Sequence, residues 1–339
     1  MDGTICGVPD DMPRRLVRPD MRPGLSPMVG AAAGGLAVPM TNTASENTVS
    51  ENAAVQTATP HHDVLVLGAT GKTGRRVVGA LRAAGVTARA ASRSGEVRFD
   101  WTERATWAAA LEGASAVYLI APDEGYEAVP VFVRQAVEAG VRRFVVLSGR
   151  GIEHVGPDFG QGMAVAEEAV RGSGAEWAVV RANNFSQNFS EDLWWQPVRE
   201  GRLGLPIGDV PEPFVDADDI AEVAAALLTR SSAEHTDDVY EVSGPRGLTF
   251  GEAVATIARA TGREIAYVEL TPEEYRAELL AAGLPEAAAT ALNALFALHR
   301  AGHTAEPADG VRRVLGREAA DFGAYVTKIA ATGAWARVE

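Results

Sequence analysis

From residue 63 onward, short apolar runs alternate with amphipathic stretches. Val64-Leu65-Val66-Leu67 is apolar at every position, the mark of a strand buried on both faces of a parallel sheet. VTARAAS (86–92), EVRFDW (96–101), AVYLIAP (116–122), RRFVVLSG (142–149) and EWAVVRA (176–182) predict five more strands. Between them, TWAAALEGA (106–114), VPVFVRQAVEAG (129–140) and AVAEEAVRGSG (164–174) have helical spacing. Such alternation predicts an α/β fold built on a Rossmann doubly wound parallel sheet. Ligands of such sheets bind beyond the C-terminal ends of the strands.

The first of those ends reads GATGKTG (68–74) and admits two readings. Gly71-Lys72-Thr73 looks like the end of a triphosphate-binding loop, but that pattern requires glycine at 66, where the chain has Val66. The glycines at 68, 71 and 74 fit a dinucleotide turn instead. Gly68 permits the turn, Gly71 lets the backbone approach a pyrophosphate, and Gly74 lets the helix pack on the strand. A helix starting near Thr70–Gly71 would aim its free N–H groups at the anion, with Thr70, Lys72 and Thr73 around it. Ile120, Ala121 and Pro122, at the end of the fourth strand, are expected on the same ligand edge.

The end of the second strand selects between the two dinucleotides. An acidic residue there holds the ribose of NAD. The chain instead has Ser92-Arg93-Ser94. The guanidinium fork of Arg93 suits a 2′-phosphate, and two hydroxyls flank it. The expected cofactor is therefore NADP(H), with Asp100 a candidate contact to the adenine edge.

Composition narrows the class further. The chain has 339 residues and a formal charge of −14, which opposes nucleic-acid binding. Cys6 is the single cysteine, so neither a disulfide framework nor a cysteine-rich metal site is expected. No apolar run reaches the roughly 18 residues of a membrane span. The expectation is a cytoplasmic protein, monomer or homodimer, acting on a small molecule without metal, nucleic acid or membrane. Residues 1–62 are rich in Pro, Gly, Ala, Ser, Thr and Asn and lack sustained periodicity, so they are expected to be a disordered extension. Met28 and Met40 are candidate true starts.

Taken together, GATGKTG (68–74), ASRS (91–94), FDW (99–101), VRRFVVLS (141–148), SGAEWAVVRANNFSQNF (173–189) and FVDADDIAEVA (214–224) resemble the NmrA-like branch of the atypical short-chain dehydrogenase/reductases. Within that branch they look most like actinobacterial relatives of the ergot-alkaloid reductases, the agroclavine and festuclavine dehydrogenases. The resemblance covers about residues 63–335. It implies an NADP-binding Rossmann domain over 63–203, to which 214–239 returns. A smaller α/β substrate domain would use 204–213 and 240–335. LTFGEAVATIARATG (248–262) and the run from Leu270 to Gly302 read as its amphipathic helices. Asp216 and Asp219 are read chiefly as helix caps.

The chain departs from the ordinary dehydrogenase pattern at one place. Those enzymes exchange a proton through a Tyr-x-x-x-Lys pair on the helix after the fifth strand. Here Phe159 and Met163 stand at those positions. The only lysines, Lys72 and Lys328, follow Gly68 and Ala324 by four residues, so no such pair exists in the chain. Reduction without that pair suits acceptors that need no strong acid: an iminium, a quinone or a conjugated enone. Ser148 is the candidate hydrogen-bond donor near the nicotinamide and His154 the candidate proton carrier. Phe159, Met163, Asn183, Asn184, Phe185 and Asn188 are expected to line the substrate pocket, with Trp194 and Trp195 placed to stack on a flat substrate. Two other readings stay open: a redox sensor that binds NADP(H) without turnover, and a polyketide-tailoring enzyme that couples quinoid intermediates.

Overall fold

A computed structural model of the chain describes residues 63–230 and 237–336. The extension expected over 1–62 lies outside the described residues.

The first half forms β1 (Val64–Leu67), α1 (Gly74–Ala83), β2 (Ala88–Ser92), β3 (Val97–Arg98), α2 (Trp107–Leu111), β4 (Ala116–Leu119), α3 (Val129–Glu138), β5 (Arg143–Gly149), α4 (Gln161–Arg171) and β6 (Glu176–Ala182). Then come α5 (Asn188–Glu191), α6 (Trp195–Glu200), β7 (Arg202–Leu205), α7 (Ala217–Thr229) and β8 (Asp238–Val242). The last part holds α8 (Phe250–Thr261), β9 (Ala266–Glu269), α9 (Pro272–Ala281), α10 (Glu286–Arg300), α11 (Gly310–Leu315) and α12 (Phe322–Ala330). Seven strands make one parallel sheet in the order β3-β2-β1-β4-β5-β6-β8, and β7 pairs with β9 in a separate two-stranded sheet.

Alternate strand residues explain why the sheet is covered on both sides. Val64, Val66, Tyr118, Val145 and Val180 face α1, α7 and α11 through Val77, Leu81, Ile220, Val223, Leu227 and Val311. Leu65, Leu67, Val117, Leu119, Phe144 and Val146 face α2, α3 and α4 through Trp107, Phe132, Val133, Ala166 and Val170. Each fully buried aliphatic side chain contributes about 1.5–3 kcal/mol relative to exposure. A third core, around Phe189, Trp194, Phe214, Phe250, Phe296 and Trp335, joins α5, α6 and β7 to α8, α10 and α12.

The turns shorten several elements that the pattern extended. Gly71 N–H donates back to the Gly68 carbonyl at 2.8 Å, so α1 begins at Gly74 rather than near Thr70–Gly71. The predicted third strand stops at Arg98, because Asp100 already starts a turn that accepts from Glu103 N–H at 3.2 Å. The last strand of the main sheet, β8, was not predicted. It lies at the sheet edge and carries half-buried Asp238, Val239 and Glu241, so its sequence lacks the continuous apolar signal.

Candidate functional site

The ends of β1, β2, β4, β5 and β6 converge where the strand order reverses about β1. Gly68 has φ +62°, a conformation that favours glycine, and it turns the chain off β1. A Cβ at Gly74 would lie 2.2 Å from the Gly68 carbonyl oxygen, so only glycine lets α1 approach so closely. The turn therefore has the shape of a dinucleotide turn, and its backbone runs against the head of the sheet.

Beyond β2, Arg93 is exposed and makes no hydrogen bond or ion pair among the described residues. Ser92 is buried, and its Oγ accepts from Ser94 N–H at 3.3 Å, which folds the loop tightly beneath Arg93. An exposed guanidinium just beyond the end of β2 is what a ribose phosphate requires. Asp100 is engaged locally. Its carboxylate accepts from Thr102 N–H at 2.9 Å and from the Thr102 hydroxyl at 2.8 Å, and these bonds hold it below the usual carboxylate range. Asp100 thus closes its own turn.

Lys72 reaches out of the glycine turn to the segment after β6. Its ammonium donates to Asn188 Oδ1, pairs with Asp192 at 2.7 Å and lies 5.2 Å from the centre of the Phe185 ring. Arg75 and Arg76 both pair with Glu191, and Arg76 reaches Asp218 at 2.8 Å. Asp216 caps α7, accepting from Asp218 N–H at 2.9 Å and from Gln187 at 2.7 Å. Three elements are thereby fastened together around the turn: α1, α5 and α7.

At the end of β5 the Ser148 hydroxyl donates to Glu167 Oε1 of α4 at 2.7 Å. Glu167 also accepts from Arg181 at 2.9 and 2.8 Å and from Arg171 at 3.1 Å. Burial raises its pKa, but these guanidinium and hydroxyl bonds outweigh it and hold the carboxyl below its ordinary range. Ser148 is thus turned into the α4 side of the sheet, and its proton is committed to Glu167. His154 is exposed and stacks on His303, with ring centroids 4.0 Å apart. The structure does not join His154 to Ser148. Met163 lies under the end of β5, where a Cβ on Gly149 would meet its sulfur at 3.6 Å. Phe159 is half-buried just before α4. The helix start is pressed against the loop after β4, since a Cβ at Gly162 would sit 2.3 Å from the Pro122 carbonyl oxygen. Ile120 and Ala121 are half-buried on that same edge.

After β6, Asn183 is buried and Asn184 and Phe185 are half-exposed. Both asparagines engage residues that the sequence pattern did not single out, Glu212 and His299. Glu212 Oε1 accepts from Asn183 Nδ2 and from Asn184 N–H, each at 2.9 Å, and its other oxygen lies 3.3 Å from His299 Nδ1. Burial raises the Glu212 pKa, yet His299 and the two asparagine bonds bring it below the ordinary value. The pair escapes sequence reasoning because 87 positions separate its members and neither sits in a motif.

The tryptophans correct one expectation. Trp194 is 2 % exposed, wedged against Phe189 and Phe250 with centroids 4.8 Å away in each case. Trp195 donates its indole N–H to the Ala334 carbonyl at 2.9 Å and carries Arg199 over its ring. Both anchor the C-terminal core, because large rings at this junction gain more from burial than from a wet cleft. Trp194 offers no face to a substrate.

Comparison with known proteins agrees with this fold. The model of the NmrA-like family matches residues 60–327. The NAD(P)H azoreductase of Xenophilus azovorans is 31 % identical over 79 % of this chain and 98 % of its own. A (4-alkanoyl-5-oxo-2,5-dihydrofuran-3-yl)methyl phosphate reductase of Streptomyces griseus is 34 % identical over 76 % of this chain and 95 % of its own. Festuclavine synthase II of Penicillium roqueforti is 33 % identical over 68 % of this chain and 86 % of its own, in keeping with the likeness to clavine enzymes. Among solved structures, the Citrobacter sp. triphenylmethane reductase complexed with NADP(H) superposes with a TM-score of 0.68, at 20 % identity, over 79 % of this chain and 99 % of its own.

Proposed function

The chain belongs to the NmrA-like family, and from that premise we propose that it is an NADPH-dependent reductase delivering hydride to a conjugated or cationic acceptor, without a tyrosine–lysine proton relay. It is an oxidoreductase, and its cofactor is NADP(H). The residues present fit that cofactor. Gly68, Thr70, Gly71, Lys72, Thr73 and Gly74 would cradle the pyrophosphate, and Arg93 with Ser92 and Ser94 would take the 2′-phosphate. Ile120, Ala121 and Pro122 would border the nicotinamide end. We assign 63–203 with 214–239 to cofactor binding, and 204–213 with 240–335 to the substrate side.

When bound, the nicotinamide supplies the hydride. The protein's own residues then bind, orient and exclude water. Phe159, Met163 and Phe185 provide an apolar wall, and the amide of Asn184 provides a polar contact. An iminium already carries its charge, and a quinone or enone spreads the developing negative charge over a conjugated system, so water suffices as the proton source.

The observation that carries this reading is that neither lysine of the chain follows a tyrosine by four residues, together with a Ser148 whose proton is directed to Glu167. Two relatives support it: one is an azoreductase, and the other is a reductase of a dihydrofuranone phosphate, a substrate that contains a ring double bond conjugated to carbonyl groups. The test is NADPH oxidation with a naphthoquinone, an azo dye, a conjugated butenolide and a cyclic iminium, set against isolated ketones. Turnover should be confined to the conjugated or cationic acceptors. A preference for isolated ketones, or oxidation of secondary alcohols with NADP+, would contradict it. Binding of NADPH with no acceptor reduced would leave a sensor.

A further inference from the structure

The polar network behind Asn184 is built more elaborately than a structural tie requires. Glu212 and His299 are 1 % and 5 % exposed. Two N–H groups satisfy one Glu212 oxygen, and His299 Nδ1 faces the other at 3.3 Å. Asn183 is fully engaged: its amide also donates to the Thr304 carbonyl at 3.1 Å, and its oxygen accepts from Arg150 at 2.7 Å. His299 Nε2 then meets the side-chain amide of Asn184 at 2.8 Å. The other end of that amide has no partner among the described residues. Asn184 is half-exposed, and its neighbour Phe185 carries Lys72 of the glycine turn over its ring. The free end therefore belongs to the cleft wall beside the dinucleotide turn.

We propose that Asn184 is the hydrogen-bonding contact for the reducible group, and that His299, fixed by Glu212, is the positioning residue that holds the amide toward it. The proposal rests on the reductase reading above. His299 Nδ1 lies 3.3 Å from the Glu212 carboxylate and 3.4 Å from the Thr304 hydroxyl, which fixes the ring. Nε2 meets Asn184 Nδ2 at 2.8 Å, so one N–H of the amide is directed at His299 and the second N–H stays free to donate. A quinone or enone that receives two electrons as hydride gathers negative charge on its oxygen. The second Asn184 N–H can donate to that oxygen, and water then supplies the proton.

The titratable and charged groups on the elements packed around His299 are few. Glu212 precedes α7, and Arg150 follows β5 with its partner Glu241 of β8 at 3.1 Å. Arg300 and Tyr275 lie on α10 and α9, and His303 follows α10, stacked on His154. Among them Glu212 is the group within ion-pair distance of the imidazole.

The experiment measures kcat/KM for NADPH-dependent reduction of 1,4-naphthoquinone at one neutral pH. Wild type is compared with Asn184→Ala, His299→Ala and the double variant, and NADPH affinity and melting temperature are measured for each. Losing one hydrogen bond to a developing charge corresponds to about tenfold or more. Each single variant should lose about that factor, and the double variant no more than Asn184→Ala alone, with NADPH affinity within about twofold of wild type. If His299→Ala fails to fold, Asn184→Ala alone carries the test, because its side chain is half-exposed. Wild-type kcat/KM retained in Asn184→Ala, or a double variant whose loss is the product of the two single losses, overturns the proposal and leaves the reductase reading intact. Wild type binding NADPH but reducing no acceptor overturns both.

Discussion

Ser148 on β5 and Glu167 on α4 stand 2.7 Å apart, hydroxyl to carboxylate, in the buried face of the sheet. The serine occupies the strand end where a reductase would place a donor to its substrate. Here its proton is taken by an acid that also binds two arginines. A polar residue at a strand end thus has a structural duty that its position alone does not reveal.

Ser148→Ala should therefore act on stability. A hydrogen bond to a charged group contributes about 1.5–3 kcal/mol. The variant should melt earlier, while kcat/KM per folded molecule stays within about threefold of wild type. Thermal melts and steady-state rates on the same preparation check this. A collapse of kcat with an unchanged melting temperature would make Ser148 a direct donor.

The pH dependence of stability follows from the same acid. The folded-state pKa of Glu167 lies below its ordinary value, so its contribution is present above the unfolded value and is lost as pH falls through the folded one. Glu212 shifts in the same direction. Wild type should lose stability progressively below about pH 4.3, the ordinary value for glutamate. Glu167→Gln leaves Arg181, whose side chain is 15 % exposed, short of its buried partner. Removing one member of a buried pair costs about 3–5 kcal/mol at neutral pH. The variant should lose less than wild type on further acidification. Denaturant melts from pH 3 to 7 test it, and parallel curves for the two proteins would refute it.

Much of the fold was legible because a parallel sheet writes itself as apolar runs. Val64–Leu67, Ala116–Leu119 and Arg143–Gly149 were all found where the pattern put them. The glycine turn was legible because Gly68 and Gly74 answer to backbone geometry alone. What escaped was decided by neighbours distant in sequence. β8 is an edge strand with half-buried acids, β7 and β9 are four residues each, and Glu212 meets His299 only after folding. Trp194 misled because a tryptophan has the same sequence signature in a core as in a cleft.

Trp194 tests that correction. Truncating a buried tryptophan to alanine costs about 3–5 kcal/mol. Trp194→Phe should be milder, and it should leave the ranking of flat aromatic acceptors unchanged. Chemical denaturation and a panel of acceptors measure the two effects. A selective loss of aromatic acceptors without loss of stability would return Trp194 to the substrate wall.

Arg93 should set the preference for NADPH. A guanidinium can make two charge-assisted bonds to one phosphate. Arg93→Ala should weaken NADPH by roughly 10- to 100-fold and leave NADH little changed. Arg93→Asp should go further, since its carboxylate repels the phosphate and can accept from the 2′-hydroxyl of NADH. Titration of both cofactors decides it. Equal losses for both would mean that Arg93 supports the loop rather than reading the phosphate.

The most direct measurement of the central claim is isotopic. NADPH deuterated at C4 is supplied, each face in turn, with a conjugated butenolide, and the product is read by mass spectrometry and NMR. Hydride delivery without a tyrosine–lysine relay predicts one deuterium at the β-carbon from one face only and a solvent proton at the α-carbon. The rate should survive Phe159→Leu with no new pH dependence. Product lacking deuterium from either face, or no product while NADPH binds, would contradict it.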